Sequence, residues 1–448
     1  MPRHPTDWPS HPEIETRQPR NLFLLAAHQI VLRVGWIFKT ESVIMPAFLD
    51  QLAGAGWIRG FLPVLSRLGQ GIPPLLCANY LRARRLKKRA LAALAVLMGI
   101  PFLFLSLAWF VSGGVRQAWM PGLFLALYFV FFVLYGLYLV SFGTVQGKLI
   151  RPARRGYLLV LSTFWGAIPA MLVAFWLMPG WLDSSPPRWD YMFGFVGVCF
   201  LLSGWIALMP FEPGEDVSCT PADRPGALSD TLRVLRNDAN LRSLVWVAVL
   251  FATGLIIFPH YQAFAREEFG RAEVERESLG LSGVQLVIWV VTQNVAVALF
   301  SLVVGPLADR RGYRLVLRLL IFGSAAAPAF AVSLVRLPNP LGADSFWLVY
   351  VALGVTPLVH RALLNYALEI CTPDAHARYQ SIVTLGVVLP FLLSPAVGWL
   401  IDAIGFQPVF TATIVLILLS GLMTFHLEEP RDWARDDGLP GGGVGPGD

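Results

Sequence analysis

Long apolar runs separated by short polar connections make up most of the chain. Eight of these runs carry no charged residue, and each reaches the roughly 20 residues that a helix needs to cross a bilayer. They lie at 90–115, 117–147, 156–182, 191–211, 243–265, 278–308, 379–401 and 403–427. Four further runs are shorter or interrupted by charged residues, and they lie at 22–48, 58–81, 316–335 and 346–370. The pattern predicts an all-α membrane protein with twelve transmembrane helices.

The composition supports the lipid bilayer as the main solvent of this chain. Hydrophobic residues are 56% of the 448 and charged residues only 14%, against about 25% charged in an average soluble domain. The formal charge of +6 is spread over short clusters between the apolar runs. Such clusters are topology signals and do not predict a nucleic-acid partner. The four cysteines have no paired spacing and no accompanying His cluster, so neither a disulfide framework nor a metal site is expected.

Basic residues favour one side of the membrane. If the N-terminus is cytoplasmic, the inner connections carry 19 Lys and Arg residues and the outer connections carry 7. The outer segment 266–277 also holds five Glu residues. Because basic residues close to the spans stay on the cytoplasmic side, we expect a multi-pass protein of the bacterial inner membrane with both termini in the cytoplasm.

The two halves of the chain resemble each other. Lys148-Leu-Ile-Arg-Pro152 matches Glu369-Ile-Cys-Thr-Pro373, and Gly180-Trp-Leu-Asp183 resembles Gly398-Trp-Leu-Ile-Asp402. Duplicated six-span units are typical of transporter folds, whose substrate site lies between the repeats. The predicted organisation is a disordered cytoplasmic tail at 1–20, a six-helix bundle at 21–211, a cytoplasmic linker with an amphipathic helix at 212–240, a second six-helix bundle at 241–427 and a disordered cytoplasmic tail at 428–448.

The connection between the eighth and ninth predicted spans carries the most specific motif. It reads Gly305-Pro-Leu-Ala-Asp309-Arg310-Arg311-Gly312-Tyr313-Arg314 and resembles the G-x-L-A-D-R-x-G-R-R signature of the major facilitator superfamily. The resemblance implies two pseudo-symmetric six-helix bundles and a cytoplasmic loop that latches them as the protein changes conformation. Gly305 would let two helices approach closely, and Gly312 would permit a tight turn. The latch residues implied are Gly305, Asp309, Arg310, Gly312 and Arg314.

The corresponding loop of the first half departs from this signature. It reads Ala78-Asn79-Tyr80-Leu81-Arg82 and has neither the Gly nor the Asp, although Asn79 could stand in for the Asp. A weaker latch in the first half is therefore expected. The departure also keeps open a protein that retains the fold without transporting, as a sensor or scaffold.

Polar and charged side chains inside the predicted spans are costly and indicate function by default. On the first span Gln29, Arg33, Trp36 and Thr40 share one face, which we call the first-span stripe. On the tenth span Arg361 and Asn365 are one turn apart. The family resemblance implies that spans 1, 4, 7 and 10 line a central cavity. The alternative for Arg33 and Arg361 is a structural ion pair that locks helices. The residues expected in the cavity are Gln29, Arg33, Trp36, Thr40, His260, Arg361 and Asn365.

Three further charged residues are candidates for coupling and gating. Glu41, at the edge of the first-span stripe, is the candidate proton-coupling group, because a carboxylate partly removed from water takes up a proton more readily. Its alternative is a hydrated position near the outer surface. Lys148 and Glu369 occupy matching positions in the two halves, and their pairing would close an inner gate. Their alternative is anchoring among lipid head groups.

The function predicted from these features is secondary active transport of a small organic solute by alternating access, with a proton as the coupling ion. No G-x-x-x-x-G-K-[ST] loop is present, so ATP-driven transport within this chain is not expected. A membrane-embedded transferase is a further alternative, but its catalytic cluster is missing. We expect no cofactor and a monomer. Two Arg against one carboxylate favour an anionic or zwitterionic solute, whose identity and direction of movement the sequence leaves open.

Overall fold

A computed structural model describes residues 12–82, 86–214, 228–270, 282–338, 340–371 and 375–429. Within these ranges the chain forms helices and no strand. Most of both predicted tails (1–11 and 430–448) and the linker residues 215–227 lie outside the described residues.

The described helices follow the predicted order of spans. The first half contains α1 (Pro12–Ile37), α2 (Ile44–Leu52), α3 (Gly56–Arg59), α4 (Phe61–Arg82), α5 (Lys87–Val111), α6 (Met120–Leu149), α7 (Pro152–Leu182) and α8 (Trp189–Ala207). The second half contains α9 (Leu228–Asn237), α10 (Ala239–Ile256), α11 (His260–Gly270), α12 (Gly283–Arg311), α13 (Tyr313–Ser324), α14 (Ala326–Leu334), α15 (Leu341–Ser345), α16 (Trp347–Leu353), α17 (Thr356–Glu369), α18 (His376–Val388), α19 (Ser394–Ile404) and α20 (Phe406–Met423).

Ten helical segments among the described residues are long and apolar enough to cross a membrane. They correspond to the third to twelfth predicted spans. The two remaining spans are α1 with α2, and α4, which carry the charged residues Arg33, Lys39 and Arg67. The all-α membrane fold predicted from the sequence is confirmed. Large apolar side chains such as Trp176 (81% exposed) and Leu302 (66% exposed) cover the outer faces of the helices, as lipid contact requires.

α1 begins at Pro12, eight residues before the predicted end of the N-terminal tail. Glu13 and Glu15 in its first turn favour a helix start there, since acidic side chains stabilise the positive end of the helix dipole. Asn21 then exchanges two hydrogen bonds with the backbone of Phe211 (2.8 and 3.0 Å). α9 lies where the amphipathic linker helix is predicted.

The chain divides into two compact units that differ from the predicted bundles. Unit 1 comprises Met1–Ala222, Phe258–Val291 and Ser394–Ala403, and unit 2 comprises Asp223–Ile257, Thr292–Leu393 and Ile404–Asp448. The prediction had placed 258–291 and 394–403 in the second bundle. The described residues of these two segments, 258–270, 282–291 and 394–403, group with the helices of the first half.

Small residues allow the helices of unit 1 to approach closely. A Cβ on Gly99 of α5 would lie 2.8 Å from the carbonyl oxygen of Gly197 on α8, and a Cβ on Gly204 would lie 2.9 Å from that of Ala92. Van der Waals packing at small residues replaces the hydrophobic effect, because lipid is as apolar as the helices themselves.

Two carboxylates bind helix starts in unit 1 in the same way. Asp402 accepts hydrogen bonds from the backbone N–H groups of Gly56 (2.7 Å) and Trp57 (3.1 Å). Asp183 accepts one from the N–H of Gly283 (2.5 Å). These acceptors satisfy backbone donors that a helix start leaves unpaired. The equivalent Asp residues of the two sequence repeats thus make equivalent contacts.

Unit 2 is joined at one end by tyrosine hydroxyls. Tyr366 of α17 donates to the carbonyl oxygen of Glu428 (2.7 Å), and Tyr379 of α18 donates to the carboxylate of Asp238 (2.6 Å). Asp238 also accepts from the N–H of Leu241 (2.8 Å) and so caps α10. These contacts hold α10, α17 and α18 to the segment after α20.

Substituting Gly398 with Ala tests the packing of α19 on α3. The added Cβ would overlap the backbone carbonyl of Gly56, which cannot rotate away. We expect the free energy of unfolding to fall by about 1–3 kcal/mol, seen as a lower midpoint of thermal unfolding in detergent.

Gly305→Ala is the matched control for this substitution. A Cβ at Gly305 meets no described atom within 4 Å, so the change is expected to be neutral or to stabilise the helix by up to about 1 kcal/mol. Equal midpoints for the two variants would contradict the close approach at Gly398.

Candidate functional site

The first span is interrupted halfway, and its functional candidates surround the interruption. α1 ends at Ile37 and α2 begins at Ile44. Between them Lys39 N–H donates to the carbonyl of Trp36 (3.1 Å), which tightens the last turn of α1. The hydroxyl of Thr40 accepts from Ile44 N–H (3.3 Å). A side chain that bonds to the local backbone thus ends one helix and starts the next. We call residues 38–43 the break.

Lys39 lies in the break with its side chain fully buried among aromatic rings. Its Nζ is 3.2 Å from the ring centroid of Trp36, 4.4 Å from that of Phe131 and 4.8 Å from that of Phe132. The Oε1 atom of Glu41 is 3.8 Å away. No hydrogen-bond acceptor for this Nζ is found in the described residues. Glu41 itself is 36% exposed, so the pair joins a dry cation to a carboxylate that solvent can reach.

The stripe predicted on α1 divides between two neighbouring helices. Gln29 donates to the hydroxyl of Tyr138 on α6 (2.5 Å). The ring of Trp36 packs against that of Tyr135 on the same helix, with centroids 4.6 Å apart and planes tilted by 46°. Arg33 is half-buried, and its Cδ lies 3.3 Å from where a Cβ on Gly166 of α7 would stand. Contact of these residues with a solute stays a prediction.

A buried charge cluster lies near the outer end of unit 1. Asp50 of α2 accepts from Arg59 (2.7 Å), and Arg266 of α11 is 3.6 Å from its other oxygen. Asp50 is two residues beyond the predicted end of the first span. The cluster ties α11 to α2.

His260, predicted in the cavity, is fully buried in unit 1. Neither ring nitrogen has a hydrogen-bond partner among the described residues. The structure therefore places this imidazole away from solvent, and its contact with a solute stays a prediction.

Unit 2 contributes an exposed cation inside a span. Arg361 and Asn365 lie one turn apart on α17. The side chain of Arg361 is exposed, and that of Asn365 is half-buried. No ion pair or hydrogen bond of Arg361 is found within the described part of the chain. α17 belongs to the apolar segment Leu341–Glu369, one of the ten candidate membrane spans.

The predicted latch loop is partly described. Gly312 has a φ of 81°, a conformation that favours Gly, and begins α13. Gly305 has open space around it, so the predicted close helix approach at this residue is not made in this structure. Arg310 is exposed and Arg314 half-buried. The side chain of Asp309 lies outside the described residues. Their role as a latch stays a prediction.

Lys148 is part of a buried node that the sequence did not indicate. Its Nζ donates to Glu212 (2.9 Å) and to the carbonyl of Pro213 (2.8 Å). The same Glu212 carboxylate accepts the backbone N–H groups of Lys87 (2.9 Å) and Lys88 (2.8 Å) at the start of α5. One carboxylate thus joins the ends of three predicted spans, the third, the fourth and the sixth. The predicted pairing of Lys148 with Glu369 stays a prediction.

Comparisons with known proteins agree with this architecture. Residues 272–440 match the sequence model of the Major Facilitator Superfamily. A variant of the nucleoside transporter NupG is 14% identical, with a TM-score of 0.68, and the match covers 92% of this chain and 100% of that one. The chain has the major facilitator fold. The resemblance predicted from the motif at 305–314 is thereby confirmed.

Two further major facilitator structures show the range of the likeness. A bacterial homologue of the human lysosomal transporter Spinster, in an inward-facing and occupied conformation, is 15% identical with a TM-score of 0.62, covering 93% of this chain and 97% of that one. The fucose:proton symporter FucP of E. coli is 14% identical with a TM-score of 0.53, covering 91% and 98%. No curated protein matches the sequence.

Three site features of this protein were not found from its sequence. The first is the aromatic box of Lys39, which is formed by the rings of Trp36, Phe131 and Phe132. The others are the Asp50 cluster and the Glu212 node. Each joins residues far apart in the chain, such as Lys39 and Phe131, so local spacing carries no sign of them. The sequence did contain one sign of the aromatic box, because Lys39 is a lysine inside an apolar span.

Substituting Glu212 with Gln tests the buried node. The change removes the carboxylate that lies 2.9 Å from the ammonium of Lys148, whose side chain is 6% exposed. Removing one partner of a buried pair costs about 3 kcal/mol or more, so we expect a clearly lower thermal midpoint in detergent. The double variant with Lys148→Met should recover part of the loss, as a double-mutant cycle measures.

The control is Glu15→Gln, which removes the partner of Arg151, three residues beyond Lys148. Both side chains of that pair are more than one-third exposed, and an exposed pair contributes under about 1 kcal/mol. A shift at Glu212 no larger than the shift at Glu15 would contradict the node.

Proposed function

We propose that this protein is a secondary active transporter that moves a small organic solute across the inner membrane by alternating access. Both termini lie in the cytoplasm, and a proton gradient drives the movement. The major facilitator fold supports the transport class, and the excess of basic residues on one set of connections supports the topology.

The exposed side chain of Arg361 is the observation that carries the proposal. Arg361 lies eight residues before the end of α17 at Glu369, which is about 12 Å along the helix. A guanidinium at such depth is costly in hydrocarbon, by at least about 2.5 kcal/mol even on insertion scales. Since the side chain is exposed and unpaired within the described residues, we infer that it faces water. A water-filled space deep inside a span is what a solute pathway requires.

The charge of Arg361 supports an anionic or zwitterionic solute. A guanidinium binds carboxylate or phosphate oxygens through two parallel hydrogen bonds. Arg33, inside the first span of unit 1, is the second cation proposed at the pathway, with Gln29, Trp36, Thr40 and Asn365 beside the two. Nucleosides and fucose, the solutes named for NupG and FucP, extend the set of compounds to test.

Proton coupling is proposed for Glu41. It is an ionisable side chain that lies inside a span and still reaches solvent, so it can exchange protons during the cycle. FucP, a structure of the same fold, is a proton symporter. Lys148 with Glu369, and the loop from Gly305 to Arg314, are proposed as cytoplasmic gate and latch. The proposed partners are the solute, the proton and the lipid bilayer, and the proposed state is a monomer.

Uptake into proteoliposomes tests the role of Arg361. Radiolabelled organic anions, amino acids, nucleosides and sugars are screened under an imposed pH gradient. For a transported anion, Arg361→Gln is expected to lower kcat/KM about ten- to hundredfold, since a hydrogen bond to a charged group contributes about 1.5–3 kcal/mol. Arg336→Gln, at an exposed position outside the spans, is the control and should transport normally. Uptake of no compound by the wild-type protein, or equal uptake by both variants, would contradict the proposal.

Substituting Glu41 with Gln tests the coupling. The amide cannot exchange a proton, so solute movement down its own gradient should persist while accumulation driven by a pH gradient is lost. Glu267→Gln removes an exposed carboxylate of α11 and should leave accumulation unchanged. If Glu41→Gln accumulates solute as the wild-type protein does, Glu41 is not the coupling group.

A further inference from the structure

The ammonium of Lys39 is held in an unusual environment. Its side chain is fully buried, three ring centroids lie between 3.2 and 4.8 Å of Nζ, and Nζ makes no hydrogen bond to a described residue. An ammonium has three N–H donors, and burying it without acceptors is costly. A cation–π interaction with one aromatic face stabilises an ammonium by about 1–2 kcal/mol when the site excludes water. The three rings alone therefore do not offset the cost of burying the ammonium of Lys39. A further source of negative potential must lie close to it.

Glu41 supplies that negative potential. Its Oε1 is 3.8 Å from Nζ, and no other carboxylate among the described residues lies within ion-pairing distance of Lys39. Glu41 acts electrostatically on the hydroxyls of Tyr128 and Tyr135 on α6, and the guanidinium of Arg67 on α4 acts on the same two hydroxyls. The two phenols are neutral and Arg67 is positive, so none of them replaces the carboxylate.

The backbone around the pair lies between two helices. Residues 38–43 are held there by turn-type bonds such as Lys39 N–H to Trp36 O and Met45 N–H to Thr40 O (3.0 Å). α2 follows directly and carries Asp50, whose carboxylate binds Arg59 and faces Arg266 of α11. A movement of the break is thus passed to the outer charge cluster of unit 1.

We propose that Lys39 is a positioning residue that converts protonation of Glu41 into opening of the break. When a proton adds to the carboxylate oxygen of Glu41, the ammonium loses its countercharge, leaves the aromatic box for water, and residues 38–43 lose their turn. When the proton leaves, the ion pair forms again and the box closes. Lys39 keeps its own protons throughout, and no other bond forms or breaks. The inference rests on the proposed role of Glu41 as a proton acceptor and adds the residue that responds to it.

Hydrogen exchange of the full-length protein in lipid nanodiscs tests this switch. Exchange of the amides of 38–43 is measured by mass spectrometry between about pH 8 and about pH 3.5, a range that extends below the ordinary pKa of a Glu carboxyl at about 4.3, and is corrected for the intrinsic exchange rate. In the wild-type protein, protection of the break should fall at least tenfold as the pH is lowered. Amides of α5, remote from the break in sequence, serve as the internal reference and should stay protected.

Four variants separate the switch from a structural role of the lysine. Glu41→Gln should leave the break open at every pH, because the neutral amide resembles the protonated acid. Lys39→Met fills the box with an apolar side chain and should keep the break protected at every pH. Lys39→Arg retains a cation and should restore the pH response. Glu267→Gln, an exposed carboxylate of α11, should behave like the wild-type protein.

Two results would overturn the inference: protection of the wild-type break that does not change with pH, or a pH response of Lys39→Met equal to that of the wild-type protein. If Lys39→Met does not fold, the comparison of the wild-type protein with Glu41→Gln at about pH 8 decides alone, because equal protection contradicts the switch. The measurement needs no solute. A pH-dependent break in a protein without proton-driven accumulation would therefore remove the proposed coupling and leave the switch standing.

Discussion

The cost of an ionised side chain in hydrocarbon orders most of this structure. Such a charge persists only when it is paired, surrounded by favourable dipoles or ring faces, or in contact with water. Asp50 with Arg59, and Lys148 with Glu212, follow the first solution. Lys39 combines an ion pair with three aromatic faces. Arg361 is exposed inside a span and lacks a partner in the described residues, so only the last solution remains for it. The same constraint thus separates charges that stabilise the fold from the one that we propose lies on a solute pathway.

Backbone groups at helix starts obey a related constraint. Their free N–H groups need acceptors wherever water is scarce, and carboxylates in unit 1 supply them. Asp183 and Asp402 bind the N–H groups that begin α12 and α3, and Glu212 binds those that begin α5. The first two Asp residues end the matching Gly-Trp-Leu segments of the repeats. The internal duplication is therefore visible as a repeated hydrogen-bond arrangement as well as a repeated sequence.

Hydropathy was sufficient to predict the positions and order of the ten spans found among the described residues, because span length and apolar composition follow directly from the bilayer. It also indicated where the spans are irregular, since α1, α2 and α4 carry the interrupting charges. Contacts between helices were a different matter. Gly305 and Gly398 look alike in sequence, yet a Cβ at Gly398 would meet the backbone of Gly56 and one at Gly305 would meet open space. Likewise, nothing local to Lys148 predicts Glu212, 64 residues away, as its partner. Packing of distant segments decides such pairs, and a single sequence does not record it.

The central claim, that Arg361 faces water inside a span, has a direct measurement. Arg361→Cys and Leu302→Cys are made in a chain whose four native cysteines are replaced, and each is treated in membrane vesicles of both orientations with a membrane-impermeant charged thiol reagent. Leu302 is 66% exposed on α12, within a candidate membrane span, and represents a lipid-facing position. The account predicts rapid labelling at position 361 and none at 302, because a thiolate forms and reacts only where water reaches it. Failure to label position 361 in either orientation, as at 302, would contradict it.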